Sequence, residues 1–327
     1  MASCGNDTAS KPAIDSLADS AAADLNALNE KIRKDPDNLD LYNTRAKLHM
    51  ARKDWQSALS DVDRILSRDS SKAEYLLTAA DVYFFTGKVK RTQQVLSHAV
   101  SIAPDNIDIN LRYAQLLHYL TKYEEEIKIL DHVLEKDIHN AQAYFMKGMV
   151  FKELGDTTNA VSSMQTAVEQ DPDYYNAYIQ LGLLHAVKKN PLAVQYYLNA
   201  LKVQPKSVEA MYHLGMFYQE TEDYNRALET YTTLLTVNPK HFDAHFNMGM
   251  IHAVKLGKGN VTMVRKGMEY FNSCIQDEPQ NPRGYYGRGY CHEALGDVTN
   301  AEKDYKKALE VDPQYTNAAI ALENLGK

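Results

Sequence analysis

Small, aromatic and apolar side chains return along this chain at an interval of about 34 residues, which marks a repeat architecture. Set in register from Leu39, Ala73, Ile107, Ala141, Tyr175, Val208, Phe242 and Pro282, the units share a small residue at the eighth place: Ala46, Ala80, Ala114, Gly148, Gly182, Gly215, Gly249 and Gly289. The twentieth place is Ala58, Ala160, Ala227 or Ala301 in four units, so two helices are expected to approach closely at both places. A ring stands at the eleventh place in most units (His49, Tyr83, Phe151, His185, Tyr218, His252, His292) and is expected to fill the gap beside the small residue. Gly87, Gly155 and Gly296 follow the first helical stretch of their units, where a left-handed residue stops a helix without steric cost. Seven of the ten prolines (Pro36, Pro104, Pro172, Pro205, Pro239, Pro279, Pro313) close the second stretch, because proline lacks an N–H and clashes with the preceding turn. Each unit reads helix, tight turn, helix.

Before the first unit, Ile14, Leu17, Ala21, Leu25, Leu28 and Ile32 form one stripe of a helix over 13–36, expected to cover the apolar end of the array. Residues 1–12 read as a flexible tether, 37–315 as the eight units, and 316–327 as a terminal capping helix in which Ala319 and Leu322 continue the pattern. Two units depart from the register. The fifth is one residue short, and its turn Lys188-Lys189-Asn190-Pro191 predicts Asn190 as helix cap with proline at the first helical position. The seventh is longer, and its extra residues are expected in a basic turn around Leu256–Asn260, followed by Arg265 and Lys266.

This punctuation resembles the tetratricopeptide repeat (TPR) family. In the unit from Ala141, the residues Tyr144, Gly148, Phe151, Gly155, Ala160, Ala167 and Pro172 stand at the signature places, and the resemblance extends over about 290 residues. The unit from Ile107 departs from the pattern, with Glu126 at the small place and Ile138 at the proline place. The resemblance implies an all-α fold, a right-handed α-solenoid of about eight TPR helix-turn-helix units with N- and C-terminal capping helices.

No run of 18 apolar residues occurs, so no segment of the sequence reads as a membrane-spanning helix. A net charge of −7 without a basic stripe argues against binding a phosphate backbone, so nucleic acid is not an expected partner. Most of the 22 tyrosines fall at core spacing and read as packing residues. Cys274 and Cys291 fall on faces expected to be buried, as free thiols. Cys4, preceded by Ser3 and followed by a short polar stretch, resembles the acylated cysteine of mature bacterial lipoproteins. That resemblance implies a lipid anchor and a periplasm-facing place in the bacterial envelope, with a cytoplasmic location as the alternative.

Candidate chemistry is sparse. The sequence holds no G-x-S-x-G and no G-x-x-x-x-G-K-S/T motif, and no enzymatic activity, cofactor or metal is expected. His185, His252 and His292 recur in different repeats, roughly 20 Å apart by helix dimensions, too far to share a metal. His241 and His245 lie one turn apart, with no clear third ligand.

The family resemblance further implies that first helices line a concave wall, with the fifth and ninth places among those facing inward. The first three units offer a mixed set there: Asn43 and Lys47, Leu77 and Asp81, Leu111 and Gln115. From the fourth unit the pairs turn apolar: Phe145 and Met149, Ile179 and Leu183, Tyr212 and Met216, Phe246 and Met250, Tyr286 and Tyr290. Residues four apart share a helical face, so these ten side chains are expected to form an apolar groove for a protein or peptide segment, the alternative being that they pack sideways on adjoining helices. Burying the five ninth-place side chains would yield about 7–15 kcal/mol, comparable with an association cost of about 4–15 kcal/mol. The carboxylate clamp of chaperone-tail receptors is not matched: the first three units offer Asn43 and Lys47 in reversed order, then Thr78, Asp108 and Arg112, and in the last three Asn247 and Arg283 match two places while Tyr212, Met216 and Gly287 occupy the others. The expected function is a non-enzymatic protein-interaction scaffold. The alternatives are a cytosolic peptide-binding regulator or co-chaperone and, further off, an enzyme or metal-dependent sensor.

Overall fold

A computed structural model describes residues 25–325, and every regular element among them is helical. Cys4, the tether and residues 13–24 of the expected capping helix lie outside the described residues. Two compact units divide the chain, one ending at Gln170 and the other beginning at Asp171. The first holds α1 (residues 25–34), α2 (Leu39–Ala51), α3 (Trp55–Arg68), α4 (Ala73–Phe85), α5 (Val89–Ile102), α6 (Ile107–Tyr119), α7 (Tyr123–Lys136), α8 (Ala141–Glu153) and α9 (Thr157–Gln170). The second holds α10 (Tyr175–Val187), α11 (Leu192–Val203), α12 (Val208–Glu220), α13 (Tyr224–Val237), α14 (Phe242–Met250), α15 (Val261–Asp277), α16 (Pro282–Ala294), α17 (Val298–Val311) and α18 (Thr316–Asn324). The first helix of every repeat begins at the register residue read from the sequence. Within each unit, helices pack in consecutive hairpins, and first helices also touch one another, as α2 does α4 and α10 does α12. Each unit is thus an α-solenoid.

Ends of the helices are satisfied locally. Asp54, Asn106, Asn140, Ser207, Asp223, Asn260 and Asp297 each accept a backbone N–H from the first turn of the helix they precede. Carbonyls of the linker prolines are taken by the fourth residue of the next helix: Tyr42 Oη donates to Pro36 at 3.1 Å and Asn110 Nδ2 to Pro104 at 2.7 Å. In unit one, Leu28 and Ile32 of α1 pack with Tyr42, Leu48, Ile65 and Tyr75, covering the end of the first repeat. In unit two, α18 packs on α17 and buries Ala318.

Space beside the small eighth place is filled from a different direction than the sequence pattern suggests. A β-carbon on Gly182 would lie 2.4 Å from the Tyr197 ring, and one on Gly215 would lie 2.5 Å from Tyr231. Gly249 faces Phe271, Gly289 faces Tyr305 and Gly148 faces Met164 in the same way. All five intruders come from the second helix of the hairpin, not from the eleventh place. The eleventh-place residue has another job: its carbonyl accepts the N–H that closes the turn, as in Asp54 to His49, Asp156 to Phe151 and Asp297 to His292.

Every hairpin turn of the eight repeats contains one residue with positive φ. Four are glycines, Gly87, Gly155, Gly259 and Gly296; the others are Lys53 (59°), Thr121 (56°), Lys189 (49°) and Glu222 (63°). A β-carbon is disfavoured there by about 1–2 kcal/mol, less what glycine loses by freeing the unfolded chain. Thr121→Gly and Glu222→Gly are each expected to stabilise by about 1 kcal/mol in urea denaturation. Destabilisation by both would show that the turns are not set by this backbone strain. In the fifth repeat, Asn190 Oδ1 accepts from the Leu192 N–H at 3.0 Å, while Pro191 already has helical angles.

The seventh repeat corrects the expected long turn. Its extra residues are distributed: a π-helical turn, Ile251–Lys255, prolongs α14, the connection at 256–260 is modestly longer, and α15 runs 17 residues where the other second helices run 14, or 12 in α11. Gly267 of α15 packs so closely on this turn that a β-carbon would lie 2.7 Å from that of Ala253.

Candidate partner-binding wall

In unit two, the wall built by α10, α12, α14 and α16 carries eight of the ten expected groove side chains. Ile179 is a core residue, 2% exposed among Tyr175, Leu214 and Phe217, so it supports the wall rather than presenting to a guest. Leu183, Tyr212, Met216, Phe246, Met250, Tyr286 and Tyr290 are half-buried. Their inner atoms rest on the core: Met250 and Tyr290 pack against the cluster of Phe271 and Cys291, and Tyr286 lies 6.0 Å from the Tyr305 ring. In unit one, Phe145 and Met149 are likewise half-buried on α8.

The wall also contains a polar island, built on Asn247 and Arg283, the two residues of the last three repeats that match places of the carboxylate clamp. Asn247, at the sixth place of its repeat and 8% exposed, donates from Nδ2 to the Met216 Sδ at 3.2 Å and to the Tyr231 hydroxyl at 3.2 Å. Tyr231 donates in turn to Gln219, so the amide is held by a chain of bonds. The Arg283 guanidinium lies 4.1 Å from the centre of the Phe246 ring and 2.7 Å from Asp243 Oδ1. Arg283 and Asn247 stand at the second and sixth places of their repeats, which the family resemblance also turns inward. Burial raises the Tyr212 phenol, so it stays protonated and able to donate.

In unit one, the corresponding places of the first three repeats form a paired polar surface. Asn43 and Lys47 both bond to Glu74 Oε1, at 3.0 and 2.6 Å. Arg112 lies 3.7 Å from Asp81, whose carboxyl is raised by burial and pulled back by Arg112 and Lys47. Leu111 is buried. These cations are already neutralised, which agrees with the poor match to a tail-carboxylate clamp.

Histidines and cysteines are used for packing and capping. His241 caps α14 by accepting the Ala244 N–H at Nδ1, and His245 Nε2 is 2.9 Å from the Pro239 carbonyl, so the pair is not poised together on a ligand. His185 stacks on Tyr196 and His252 on Tyr270, while His292 lies 3.4 Å from Asp297. Cys274 and Cys291 are buried free thiols, each pushed up to about 12 by burial and therefore unreactive near neutrality. Among the described residues, no helix is long and apolar enough to cross a membrane.

Profiles of known families match four stretches: "Tetratricopeptide repeat" at residues 141–174, 196–229 and 282–315, and "Anaphase-promoting complex, cyclosome, subunit 3" at 51–133. Human tetratricopeptide repeat protein 16 is 22% identical over 312 residues, covering 86% of this chain. The chain spans 35% of the length of that human protein and 40% of its mouse counterpart. Mouse protein O-mannosyl-transferase TMTC1 is 27% identical over 151 residues, 43% of this chain and 16% of that one. Among solved structures, the C-terminal part of a TPR repeat-containing protein from Cytophaga hutchinsonii is similar in fold, with a TM-score of 0.64 at 20% identity over 74% of this chain and 98% of that one.

Proposed function

Because this chain is a tetratricopeptide repeat protein, we propose that it is a non-enzymatic scaffold whose second unit holds an apolar segment of a protein partner against α10, α12, α14 and α16. The observation that carries this reading is the row of half-buried ninth-place side chains, Leu183, Met216, Met250 and Tyr290, on touching or successive first helices. Their exposure also revises the energetics. Since each is already half-buried, covering the remainder yields on the order of 3–6 kcal/mol in all, below much of the association cost of about 4–15 kcal/mol. Apolar contact alone therefore gives weak binding, and the half-buried Tyr212 hydroxyl and the remaining N–H groups of Arg283 supply hydrogen bonds that fix a guest backbone. Methionine adapts to irregular shapes, which suits a helix or an extended strand with Leu, Ile, Met or Phe anchors. The partial match to a transferase does not alter the reading: the wall is made of rings, thioethers, an amide and a paired guanidinium.

The test is selection of displayed peptides on the full chain, followed by affinity measurement with the winners. Apolar anchors at three- or four-residue spacing are expected, and Met216→Glu with Met250→Glu is expected to weaken binding by about tenfold or more, with unchanged circular dichroism. Undiminished affinity in that double variant would remove the wall from consideration. The lipid anchor and envelope location rest on Ser3-Cys4 alone. Palmitate labelling of the native protein that does not depend on Cys4 would dispose of that part.

A further inference from the structure

Four aromatic rings stand in a row along the turn edge of unit one. Trp55, first residue of α3, stacks on Phe85 at the end of α4, with centroids 4.9 Å apart and planes at 19°. Phe85 meets Phe84 at 6.0 Å, and Phe84 meets Tyr119, at the end of α6, edge-on at 5.3 Å. Phe85 is 61% exposed, Tyr119 59% and Phe84 39%. The row crosses three hairpins and fills no core; a contiguous apolar patch of this kind on a protein surface marks an interaction site.

The charge beside the rings says what covers them. Arg52 and Lys53 form the turn that leads into Trp55, and Lys88 and Lys90 flank the start of α5 just beyond Phe85. None of these four side chains pairs with a carboxylate among the described residues. Carboxylates nearby are occupied: Asp54 accepts the Ser57 N–H and lies 3.1 Å from His49, and Asp63 bonds to Tyr83 and Arg91. In a chain of net charge −7, this edge is a local excess of free cations. At the far end, Glu124 and Glu125 follow Tyr119 at the start of α7, and only Glu125 has a lysine partner, Lys122 at 2.8 Å. Negative charge there repels an anionic bilayer laid along the row, whereas a short chain can stop before it.

We propose that the edge formed by Trp55, Phe84, Phe85 and Tyr119, with Arg52, Lys53, Lys88 and Lys90, is a second docking surface, specific for an acidic protein segment carrying aromatic or aliphatic side chains. Its carboxylates meet the cations of the first two turns, and its apolar side chains lie on the Phe85 and Tyr119 rings.

Trp55 is the single tryptophan of the chain, so its emission reports occupancy of this edge directly. The full chain is titrated with a synthetic peptide of three Glu-Asp-Phe-Leu repeats. A saturable change in Trp55 emission is expected, weakened severalfold on raising salt from about 50 to about 500 mM. Phe85→Ser with Tyr119→Ser is expected to weaken binding about tenfold, and Lys53→Glu with Lys90→Glu to weaken it and flatten the salt dependence. All four positions are exposed, so melting curves should match the parent. Met216→Glu with Met250→Glu should leave this titration intact, which separates the edge from the wall. No saturable response, an equal response to three Lys-Arg-Phe-Leu repeats, or a response to phosphatidylserine vesicles without one to the acidic peptide would each overturn the proposal.

Discussion

Gly182→Ala is expected to destabilise the chain by about 1–3 kcal/mol, although alanine is the better helix former by about 1 kcal/mol. The added β-carbon would stand 2.4 Å from the Tyr197 ring, which is 1% exposed and has no free side to move toward. Tyr197→Leu alone is expected to cost about 2 kcal/mol by opening a void under Gly182. The double variant should recover most of both losses, because it recreates a pair the chain already uses: Ala114 packs beside Leu130, and Ala80 beside Leu96. Urea denaturation of the four proteins gives a coupling on the order of 2 kcal/mol if size complementarity sets the hairpin spacing. Additive losses would show that the two positions are independent. Gly148→Ala should cost a similar amount, since its β-carbon would stand 2.6 Å from Met164 Cγ, near the root of a fully buried side chain, and 3.2 Å from the Ala160 carbonyl.

Size matching across the hairpin also explains what was legible in the sequence and what was not. Proline and glycine punctuation fixes where helices stop, so every first helix begins where the register places it. The small eighth place was visible for the same reason, because it recurs. Its partner was not, because Val62, Leu96, Leu130, Met164, Tyr197, Tyr231, Phe271 and Tyr305 share neither size nor polarity. They vary inversely with the residue they meet: alanine faces Val62, Leu96 and Leu130, whereas glycine faces methionine or a ring. A pattern search for one conserved type overlooks compensating pairs. The seventh repeat departs from its sequence expectation for a related reason: extra residues are expected in a loop, whereas a π-turn beside Gly267 and a longer α15 absorb most of the insertion.

On the wall, the apolar character of the later repeats was legible, but its depth was not. Ile179 occupies the same place as Tyr212, Phe246 and Tyr286, yet it is buried while the rings are half-exposed. A branched side chain reaches only the layer beneath the surface, whereas a ring rooted at the same place extends past it. The exposed rings of the turn edge follow from a simpler constraint. Phe84 and Phe85 are adjacent at a helix end, and neighbouring residues on a helix point in different directions, so one hairpin core does not take both.

Glu126 should make the first unit less stable as pH rises. It occupies the twentieth place, where Ala58, Ala160, Ala227 and Ala301 are all fully buried, as is Ala193 at the matching nineteenth place of the short fifth repeat, and it is itself 0% exposed. Its Oε2 is 3.0 Å from His118 Nδ1, and its Oε1 has no hydrogen-bond partner among the described residues. Burial raises the Glu126 carboxyl, with His118 pulling it partly back. The bond to Glu126 raises the His118 imidazole, with burial opposing and the fields of Glu126 and Glu153 adding. Both folded values thus lie above the unfolded ones, so the native state binds more protons than the unfolded chain. The His118 contribution is complete below the unfolded histidine value of about 6.5 and is lost as pH climbs through the raised folded value. Above that, a buried carboxylate faces a neutral ring. Glu126→Ala is therefore expected to be more stable than the parent at about pH 8.5, by about 1–2 kcal/mol, with the difference narrowing at about pH 6. His118→Leu should act in the opposite sense, costing about 3–5 kcal/mol by leaving the carboxylate alone. Parallel denaturation curves at both pH values settle the matter. A parent whose stability is flat across this range, or a Glu126→Ala variant weaker at high pH, would show that the pair contributes net stability as a charge pair and that the alanine rule of the other repeats does not extend to this one.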